Sequence, residues 1–511
     1  MDGSVAVARM PEVRGAAGVI VMFEAVELGR VVAREDYEAQ LPRLRAGLLE
    51  AQFRLRSSGR AMIIIVTGVD GAGKGDVVHR LNEWLDPRGI DTQAFWLSSD
   101  EEAERPPYWR FWRVLPARGR VGVLFGSWYT RPIVRRLAGK IGDAELDAEL
   151  ERIAFFERML ADDGVIIVKL WLHLPAKEQA RRFRDVEKNP EKHWRILPTD
   201  WHRPKLHSRF REISERALRR TDLGPAPWQV IEATDDRHRD LAVGRVVLEA
   251  MREGLGRRPG RAAKDGRKRA AMTGGVTVLD RVDLSQALEE EEYERKLEKY
   301  QAKLHRLTWA AHEKRRSTVL VFEGWDAAGK GSSIRRVTEA IDPRLFRIIP
   351  VASPTDEERA HHYLWRFWRH LPRAGMIRVY DRSWYGRVLV ERVEGYAREE
   401  EWRRAYREIN DFEEQLVEDG IVVGKFWLHI SKEEQLRRFK QREEVAFKRY
   451  KITPDDWRNR GKWDQYAAAE NEMVRRTSTE RAPWTLVAGN DKKFARIQIL
   501  KTICRSLEEA L

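Results

Sequence analysis

The chain has 511 residues, of which 42% are hydrophobic and 34% are charged, and it carries a formal net charge of +14. This length predicts two or more domains, and the composition is that of a globular protein rather than a disordered one. The single cysteine, Cys504, excludes a disulfide framework and a thiolate metal cage, and it favours a reducing compartment. The basic excess predicts affinity for polyanions without choosing among them.

The start of the chain carries no convincing targeting signal. The apolar stretch at residues 18–23 is short, lacks a basic leader and runs into Glu24, which argues against a signal peptide. No run reaches the roughly 18 apolar residues that a membrane helix needs. These features predict a cytoplasmic protein without a membrane partner.

The chain repeats itself at a constant offset of 256 residues. The sequence GVDGAGKG at 68–75 recurs as GWDAAGKG at 324–331, and the matches continue without a gap as far as Trp228 and Trp484. Solenoid repeats are only about 20–45 residues long. A unit of this length therefore indicates duplication of a whole domain.

The repeat predicts two tandem domains, at residues 30–250 and 286–511, joined by a linker at 251–285. Residues 252–270 mix glycine with arginine and lysine. This composition is typical of a solvated hinge, although its charge could also bind a polyanion. No functional site is assigned to it.

Within each copy, short apolar runs alternate with charged segments of helical period, a pattern typical of βαβ units. In the second copy we predict strands at residues 318–322, 347–352, 376–380, 421–428 and 484–487. The predicted fold class is α/β, with two tandem three-layer domains that each hold a parallel sheet flanked by helices. Ligands in such sheets bind beyond the carboxyl ends of the strands.

A phosphate-binding loop follows the first of these strands. Residues 324–330 fit the spacing G-x-x-x-x-G-K between a predicted strand and a predicted helix near Ser332. Glycines let the backbone N–H groups face phosphate oxygens, the helix N-terminus adds positive potential, and Lys330 supplies a point charge. The loop residues expected to bind phosphate are Gly324, Ala327, Ala328, Gly329, Gly331 and Ser332.

The usual metal-binding hydroxyl of such loops is missing, because Gly331 follows Lys330 where most P-loop enzymes have Ser or Thr. Mg²⁺ typically binds one or two carboxylates together with substrate phosphates. We therefore expect Asp326 in the loop and Asp381 at a strand end to hold Mg²⁺, with Mn²⁺ as an alternative. Helix capping is the other role open to Asp381.

These motifs resemble the polyphosphate kinase 2 family. The resemblance rests on GWDAAGKG at 324–331, DRSWYGR at 381–387 and P-x-D-W at 454–457, and it covers about residues 37–235 and 293–491. The two-domain arrangement is similar to the branch of the family that phosphorylates AMP. The resemblance implies a thymidylate-kinase-like P-loop fold with a helical lid, Mg²⁺, and inorganic polyphosphate as phosphate donor or acceptor.

Arginines are dense around the motifs of the second copy, and bidentate arginine contacts suit phosphate oxyanions. For any single arginine, a solvated helix surface is the alternative. The residues predicted to be catalytic are Asp326, Lys330, Asp381, Arg382 and Arg387. The arginines predicted to bind phosphate are Arg366, Arg437 and Arg438, the last two supported by their match to the lid region.

Other residues that could suggest a site are interpreted as structural. The aromatic residues Trp365, Phe367 and Trp368 are expected in the core rather than on a nucleobase, since aromatic side chains bury large areas. His362 and His429 lack the pattern of metal ligands and are expected to be structural or surface residues.

The first copy lacks two of the residues predicted to be catalytic in the second copy. Phe125 stands at the position of Asp381, and Gly126 at that of Arg382. Phenylalanine cannot ligate Mg²⁺, so the charge that develops in phosphoryl transfer would lack its main neutraliser. We therefore predict an inactive first domain and a catalytic second domain. Three further differences follow the same offset: Leu206 for Lys462, Ser208 for Asp464 and Ser214 for Glu470.

The predicted reaction is transfer of phosphate from polyphosphate to a nucleotide, with AMP giving ADP. The alternatives are a polyphosphate-dependent kinase acting on ADP or GDP, an ATP-dependent nucleotide kinase, and a nucleic-acid-binding P-loop protein. The expected partners are polyphosphate and the nucleotide, without nucleic acid or membrane. The resemblance also makes a homo-oligomer plausible.

Overall fold

The computed structural model describes residues 22–188, 204–256, 277–445 and 452–511. The chain divides into two compact units. The first unit comprises Met1–Ser98, Arg110–Gly260 and Arg359–His362, and the second comprises Ser99–Trp109, Arg261–Glu358 and Tyr363–Leu511. Each unit follows one copy of the repeat and also takes in one short segment from the sequence of the other copy.

The first unit is built on five strands. They are β1 (Met62–Gly68), β2 (Ile90–Ala94), β3 (Val121–Phe125), β4 (Ile166–His173) and β5 (Trp228–Glu232). They form a parallel sheet in the order β2-β3-β1-β4-β5. The helices that begin in this half of the sequence are α1 (Arg34–Arg56), α2 (Lys74–Trp84), α3 (Asp100–Ala103), α4 (Trp109–Trp112), α5 (Thr130–Leu137), α6 (Asp143–Asp162), α7 (Ala176–Glu187), α8 (Pro204–Thr221) and α9 (Asp236–Gly256).

The second unit repeats this architecture. Its strands are β6 (Thr318–Gly324), β7 (Phe346–Pro350), β8 (Ile377–Asp381), β9 (Val422–His429) and β10 (Trp484–Ala488). They form a parallel sheet in the order β10-β9-β6-β8-β7. The helices of the second half are α10 (Glu290–Glu313), α11 (Lys330–Thr338), α12 (Asp356–Arg359), α13 (Trp365–Trp368), α14 (Val390–Val393), α15 (Glu399–Glu418), α16 (Lys432–Glu444), α17 (Pro454–Gly461), α18 (Trp463–Thr477) and α19 (Lys492–Ala510).

The predicted α/β class with two helix-flanked parallel sheets is confirmed. All five strands predicted in the second copy are present, and their ends differ from the prediction by at most two residues. The strand predicted at 347–352, for example, is β7 at Phe346–Pro350. Such offsets arise because apolar runs mark burial, whereas strand ends are set by hydrogen bonds.

The central strands carry the cores of both units. Residues 62–66 of β1 and 319–322 of β6 are apolar and almost wholly inaccessible to solvent. Continuous apolar strands of this kind occur where helices cover both faces of a parallel sheet. The aromatic residues Trp365, Phe367 and Trp368 are buried, as predicted.

A buried ion pair is present in both units with the same geometry. Lys425 Nζ lies 2.7 Å from Glu413 Oε2 in the second unit, and Lys169 Nζ lies 2.7 Å from Glu157 Oε2 in the first. Burial lowers the pKa of Lys425, and the charge of Glu413 opposes this shift. Since the pair is kept in the copy that lost Asp381, we assign it a structural role.

The predicted linker lies largely outside the described residues. Helix α9 continues to Gly256, and a short 3₁₀ helix occupies Leu279–Arg281. The basic residues predicted to form a hinge fall mostly within 257–276, which are not described. Within the described part of the chain, no helix is long and apolar enough to cross a membrane.

Candidate active site

The predicted phosphate loop lies between β6 and α11, at the carboxyl edge of the second sheet. Gly324 has a φ of 144°, and a Cβ there would lie 2.4 Å from the Leu428 carbonyl oxygen, so only glycine fits. Ala327 also has a positive φ, of 64°, a conformation that non-glycine residues adopt mainly at functional or strained sites. Helix α11 begins at Lys330, so its N-terminus faces the loop and favours an anion there.

Lys330 folds back over this loop. Its ammonium donates hydrogen bonds to the carbonyl oxygens of Gly324, at 2.7 Å, and of Trp325, at 3.1 Å. Burial lowers the pKa of Lys330, and the charge of Asp326 opposes the shift. The ammonium is therefore poised next to the position where a phosphate group would sit on the loop.

Asp326 is held by two different donors. Arg382 Nη2 lies 3.3 Å from its Oδ1, and Asn459 Nδ2 donates to its Oδ2 at 3.0 Å. A carboxylate offers about four acceptor sites, so one bond at each oxygen leaves room for further ligands. Asp326 keeps the capacity to bind a metal ion while remaining fixed.

Asp381 is the last residue of β8 and pairs in register with Phe322 of the central strand. It is half-buried, and among the described residues none makes a hydrogen bond or ion pair with its carboxylate. The charge of Asp381, like that of Asp326, acts on Lys330, and an unpartnered carboxylate is the kind of oxygen donor that Mg²⁺ prefers. The described residues contain no group of three or more His, Cys, Asp or Glu placed to hold a metal ion. Substrate oxygens and water would have to complete the coordination.

Two buried acids lie behind the loop, and the sequence did not identify them as site residues. Glu323 and Glu470 are only 6% and 2% exposed. Burial raises the pKa of both carboxyls, and Lys330 opposes the shift in each case. Glu323 Oε1 accepts a hydrogen bond from Ser383 at 2.8 Å. Since Thr67 occupies the position of Glu323 in the first copy, a comparison of the copies could have revealed this acid.

Arg438 lies under the loop rather than in a solvent-facing track. Its guanidinium donates to the carbonyl oxygens of Ala327 and Ala328, both at 2.9 Å, and of Gly489, at 2.7 Å. The side chain is 3% exposed. These contacts fix the loop, and direct phosphate binding by Arg438 remains a prediction.

The other predicted arginines are already paired in different ways. Arg437 is exposed and forms a 2.7 Å ion pair with Glu434. Arg387 lies 3.1 Å from Glu391 and 4.5 Å above the ring of Tyr363. Arg366 donates to the Ala352 carbonyl oxygen at 3.1 Å and pairs with Glu358 at 3.3 Å. Of the five arginines, Arg382 is the one that contacts a loop carboxylate.

Helices α17 and α18 pack against the loop, where a lid was expected. Asn459 of α17 reaches Asp326, and Trp463 of α18 stacks on Trp325 with a ring-centroid distance of 3.6 Å and an interplanar angle of 5°. The indole N–H of Trp325 donates to His429 Nδ1 at 3.2 Å. His429 thus orients an aromatic residue of the loop.

The first unit keeps the loop but arranges its charges differently. Lys74 donates to the carbonyl oxygens of Gly68 and Val69, as Lys330 does to those of Gly324 and Trp325, but it also forms a 2.8 Å ion pair with Asp70. Arg182 supports this loop as Arg438 supports the other, donating to the Gly71 carbonyl oxygen at 2.9 Å. The residue that ends β3 is Phe125, so an apolar side chain occupies the place of Asp381.

Comparison with known proteins agrees with this geometry. The family model described as polyphosphate kinase 2 (PPK2) matches residues 31–258 and 287–511. A polyphosphate:AMP phosphotransferase of Pseudomonas aeruginosa is 50% identical over 497 residues, which cover 96% of this chain and 99% of that protein. Another polyphosphate:AMP phosphotransferase, from Acinetobacter johnsonii, is 37% identical over 90% of this chain and 95% of its own length.

A crystal structure assigned to a polyphosphate kinase 2 of Pseudomonas aeruginosa superimposes with a TM-score of 0.87 at 48% identity. The match covers 96% of this chain and 99% of that one. Both halves of the repeat therefore have the same fold as a solved relative. The chain belongs to the polyphosphate kinase 2 family.

Proposed function

We propose that this protein transfers phosphate from inorganic polyphosphate to AMP, giving ADP, and that the second unit carries out the reaction. The observation that carries the proposal is the joint presence of Lys330 on the loop and an unpartnered Asp381 at the adjacent strand end. The relatives that match nearly the whole chain are named polyphosphate:AMP phosphotransferases. The family membership supports the phosphate donor, and these names support the acceptor.

The roles of the residues follow from the chemistry of phosphoryl transfer, which depends mainly on positioning and charge neutralisation. An oxygen of the AMP phosphate attacks the terminal phosphorus of polyphosphate, the P–O–P bond to the rest of the chain breaks, and polyphosphate leaves shortened by one unit. The loop and Lys330 hold the transferred group, while Arg382 and Arg387 balance charge on the donor.

No general base is needed in this scheme. The second pKa of a phosphate monoester is near about 6, so AMP is largely ionised at neutral pH. Asp326 and Asp381 would hold Mg²⁺, or Mn²⁺, and the bound cation neutralises charge on the phosphates. Asp326 then acts by position rather than by accepting a proton.

The first unit is proposed to be inactive, because Phe125 replaces the carboxylate of Asp381 and Asp70 neutralises Lys74. A cytoplasmic location, assembly into a homo-oligomer and the absence of nucleic-acid and membrane partners are kept as predictions from the sequence.

The test is turnover of AMP with long-chain polyphosphate and Mg²⁺, using the matched variants Lys330→Ala and Lys74→Ala. We expect ADP from the wild type, a loss of at least about tenfold in Lys330→Ala because a charged contact to the transferred group is removed, and full activity in Lys74→Ala. Equal losses in the two variants would show that the first unit takes part.

Three further reactions separate the alternatives. If the wild type forms no ADP from AMP but phosphorylates ADP or GDP, the acceptor is a nucleoside diphosphate rather than AMP. Activity with ATP in place of polyphosphate would indicate an ordinary nucleotide kinase. If the protein retains single-stranded nucleic acid in a salt-sensitive manner and shows no turnover, it is a nucleic-acid-binding protein.

A further inference from the structure

Glu394 is a buried carboxylate that the proposed reaction does not use. It caps the C-terminus of α14, and its side chain is only 5% exposed. Lys462 Nζ lies 2.8 Å and Arg458 Nε 3.2 Å from its Oε2. The hydroxyl of Tyr466 lies 3.2 Å from its Oε1. These three donors come from α17, α18 and the residue between them, so Glu394 joins α14 to both helices.

The contacts continue from Glu394 to the phosphate loop. The Tyr466 hydroxyl also lies 3.3 Å from Asn459 Oδ1, and the amide of Asn459 donates to Asp326 Oδ2 at 3.0 Å. With its oxygen facing the hydroxyl and its nitrogen facing the carboxylate, the amide orientation is set by both neighbours. Tyr466 has one hydroxyl proton, so Glu394 and Asn459 share it as a bifurcated hydrogen bond, and Arg458 of α17 contacts Glu394 directly. These contacts connect Glu394 through α17 to a loop carboxylate.

The sequence of the first copy lacks the residues that form this path. At the offset of 256, Ala138 stands for Glu394, Leu206 for Lys462 and Phe210 for Tyr466. In that unit the loop aspartate, Asp70, forms a 2.8 Å ion pair with its own loop lysine, Lys74. In the second unit Asp326 is instead bonded to Asn459 and Arg382.

We propose that Glu394 is a positioning residue for Asp326: by holding Arg458, Lys462 and Tyr466 it fixes α17 so that Asn459 keeps the Asp326 carboxylate away from Lys330. An ammonium that is not neutralised by its own loop is free to bind phosphate. This proposal rests on the function proposed for the second unit, and it adds a residue outside the motifs of that site.

The test measures binding of tripolyphosphate by calorimetry with a chelator present, so that it requires neither turnover nor metal. We expect Glu394→Ala to weaken binding by about tenfold, the effect of losing a hydrogen bond to a charged group. The variant should fold, because Lys462 and Arg458 are partly exposed and alanine occupies this position in the first copy. Glu394→Gln keeps an acceptor for Lys462 and should recover part of the affinity.

The chain offers a matched control. Glu472 on α18 forms a 2.8 Å ion pair with Arg392 of α14, and it makes no contact with Asp326. Glu472→Ala removes the same kind of link between α14 and α18 and should leave binding unchanged. Unaltered or tighter binding in Glu394→Ala would overturn the proposal, since tighter binding would mean that Glu394 competes with phosphate for Lys462 and Arg458.

Two further variants keep the proposal testable if Glu394→Ala fails to fold. Tyr466→Phe introduces the residue of the first copy, and Asn459→Leu removes the bond to Asp326. Both should weaken tripolyphosphate binding without a change in the unfolding temperature, and unchanged affinity in both would reject the idea. A wild type that binds tripolyphosphate but does not phosphorylate AMP would refute the proposed function while leaving this network intact.

Discussion

At the scale of single residues, the two copies of the repeat can be compared position by position, because they share one fold. They share the loop lysine and the arginine beneath the loop, and they differ at the carboxylates around them. Asp381 is the clearest difference, because Phe125 takes its place at the same register of the sheet. The chemistry proposed for the second unit therefore depends on single side chains that differ between two copies of the same fold.

Asp381→Asn should abolish most of the turnover while leaving the fold unchanged. The amide keeps the volume of the side chain but removes one of the two charged oxygen donors proposed for Mg²⁺. We expect turnover to fall by at least about 100-fold at saturating substrate, with a higher Mg²⁺ concentration needed for half-maximal rate. A titration of the initial rate with Mg²⁺ measures both.

Phe125→Leu is the matched control for this variant, since it changes the equivalent position in the first unit. It should leave turnover and the Mg²⁺ requirement as they are. If Asp381→Asn keeps the activity of the wild type, the carboxylate is not a metal ligand; helix capping, the other role considered from the sequence, falls to Ser383, which accepts from the Tyr385 N–H.

At the scale of elements, the conformation of the phosphate loop depends on helix α16, which packs beneath it. Arg438 on α16 donates hydrogen bonds to the carbonyl oxygen of Ala327 in the loop and to that of Asn490, which follows β10. Its planar fork cannot be reproduced by a single ammonium group. The loop conformation is thus maintained by a residue that follows it by 111 positions in the sequence.

Arg438→Lys should lower both the unfolding temperature and the turnover number, because several buried carbonyl oxygens lose their donor. We expect a loss of about tenfold or more in turnover. The neighbouring variant Arg437→Lys should change neither quantity by more than about twofold, since its side chain is exposed and surface ion pairs contribute little. Thermal unfolding and initial rates of the two proteins check this contrast.

A different result would point to a different role. If Arg437→Ala raises the KM for long-chain polyphosphate but not for tripolyphosphate, the exposed arginine binds the phosphate chain, as the sequence predicts. If Arg438→Lys is indistinguishable from the wild type, the carbonyl contacts are dispensable.

The sequence predicted the elements that local pattern encodes and missed those that depend on distant contacts. The loop at 324–331 and β6 were predictable because glycine spacing and apolar runs are local signals. Glu394, Asn459 and Glu470 could not be placed, since their neighbours lie far away in the sequence and only the fold brings them together. Arg438 was predicted to bind phosphate, and its burial beneath the loop was not predictable, because burial cannot be inferred from a single charged residue.

At the scale of the whole molecule, each unit rests on a buried ion pair between a strand and a helix. Lys425 also donates to the Thr477 carbonyl oxygen at 2.7 Å, so its charge is fully satisfied. Removing one partner of a buried pair leaves an uncompensated charge and destabilises a protein by about 3–5 kcal/mol. The two pairs, one in each unit, allow the stability of each to be changed separately.

Lys425→Met and Lys169→Met should each lower the stability of one unit by about that amount, because Glu413 or Glu157 is left buried without its cation. Denaturant unfolding followed by hydrogen exchange assigns the loss to the unit that was changed. The double variant Lys425→Met with Glu413→Gln should regain part of the stability. No loss in either single variant would show that water or relaxation compensates the carboxylate.

The segment Ser99–Trp109 belongs to the second unit, although it lies in the sequence of the first copy. Within that unit Arg105 donates to the Leu371 carbonyl oxygen at 3.3 Å, and Glu104 forms an ion pair with Arg315 at 2.8 Å. The copy that has Phe125 in place of Asp381 therefore contributes residues to the unit proposed to carry out the chemistry. A gene trimmed to its second half would encode the second unit without this segment, so the first half can be retained for its structural contribution whether or not it is catalytic.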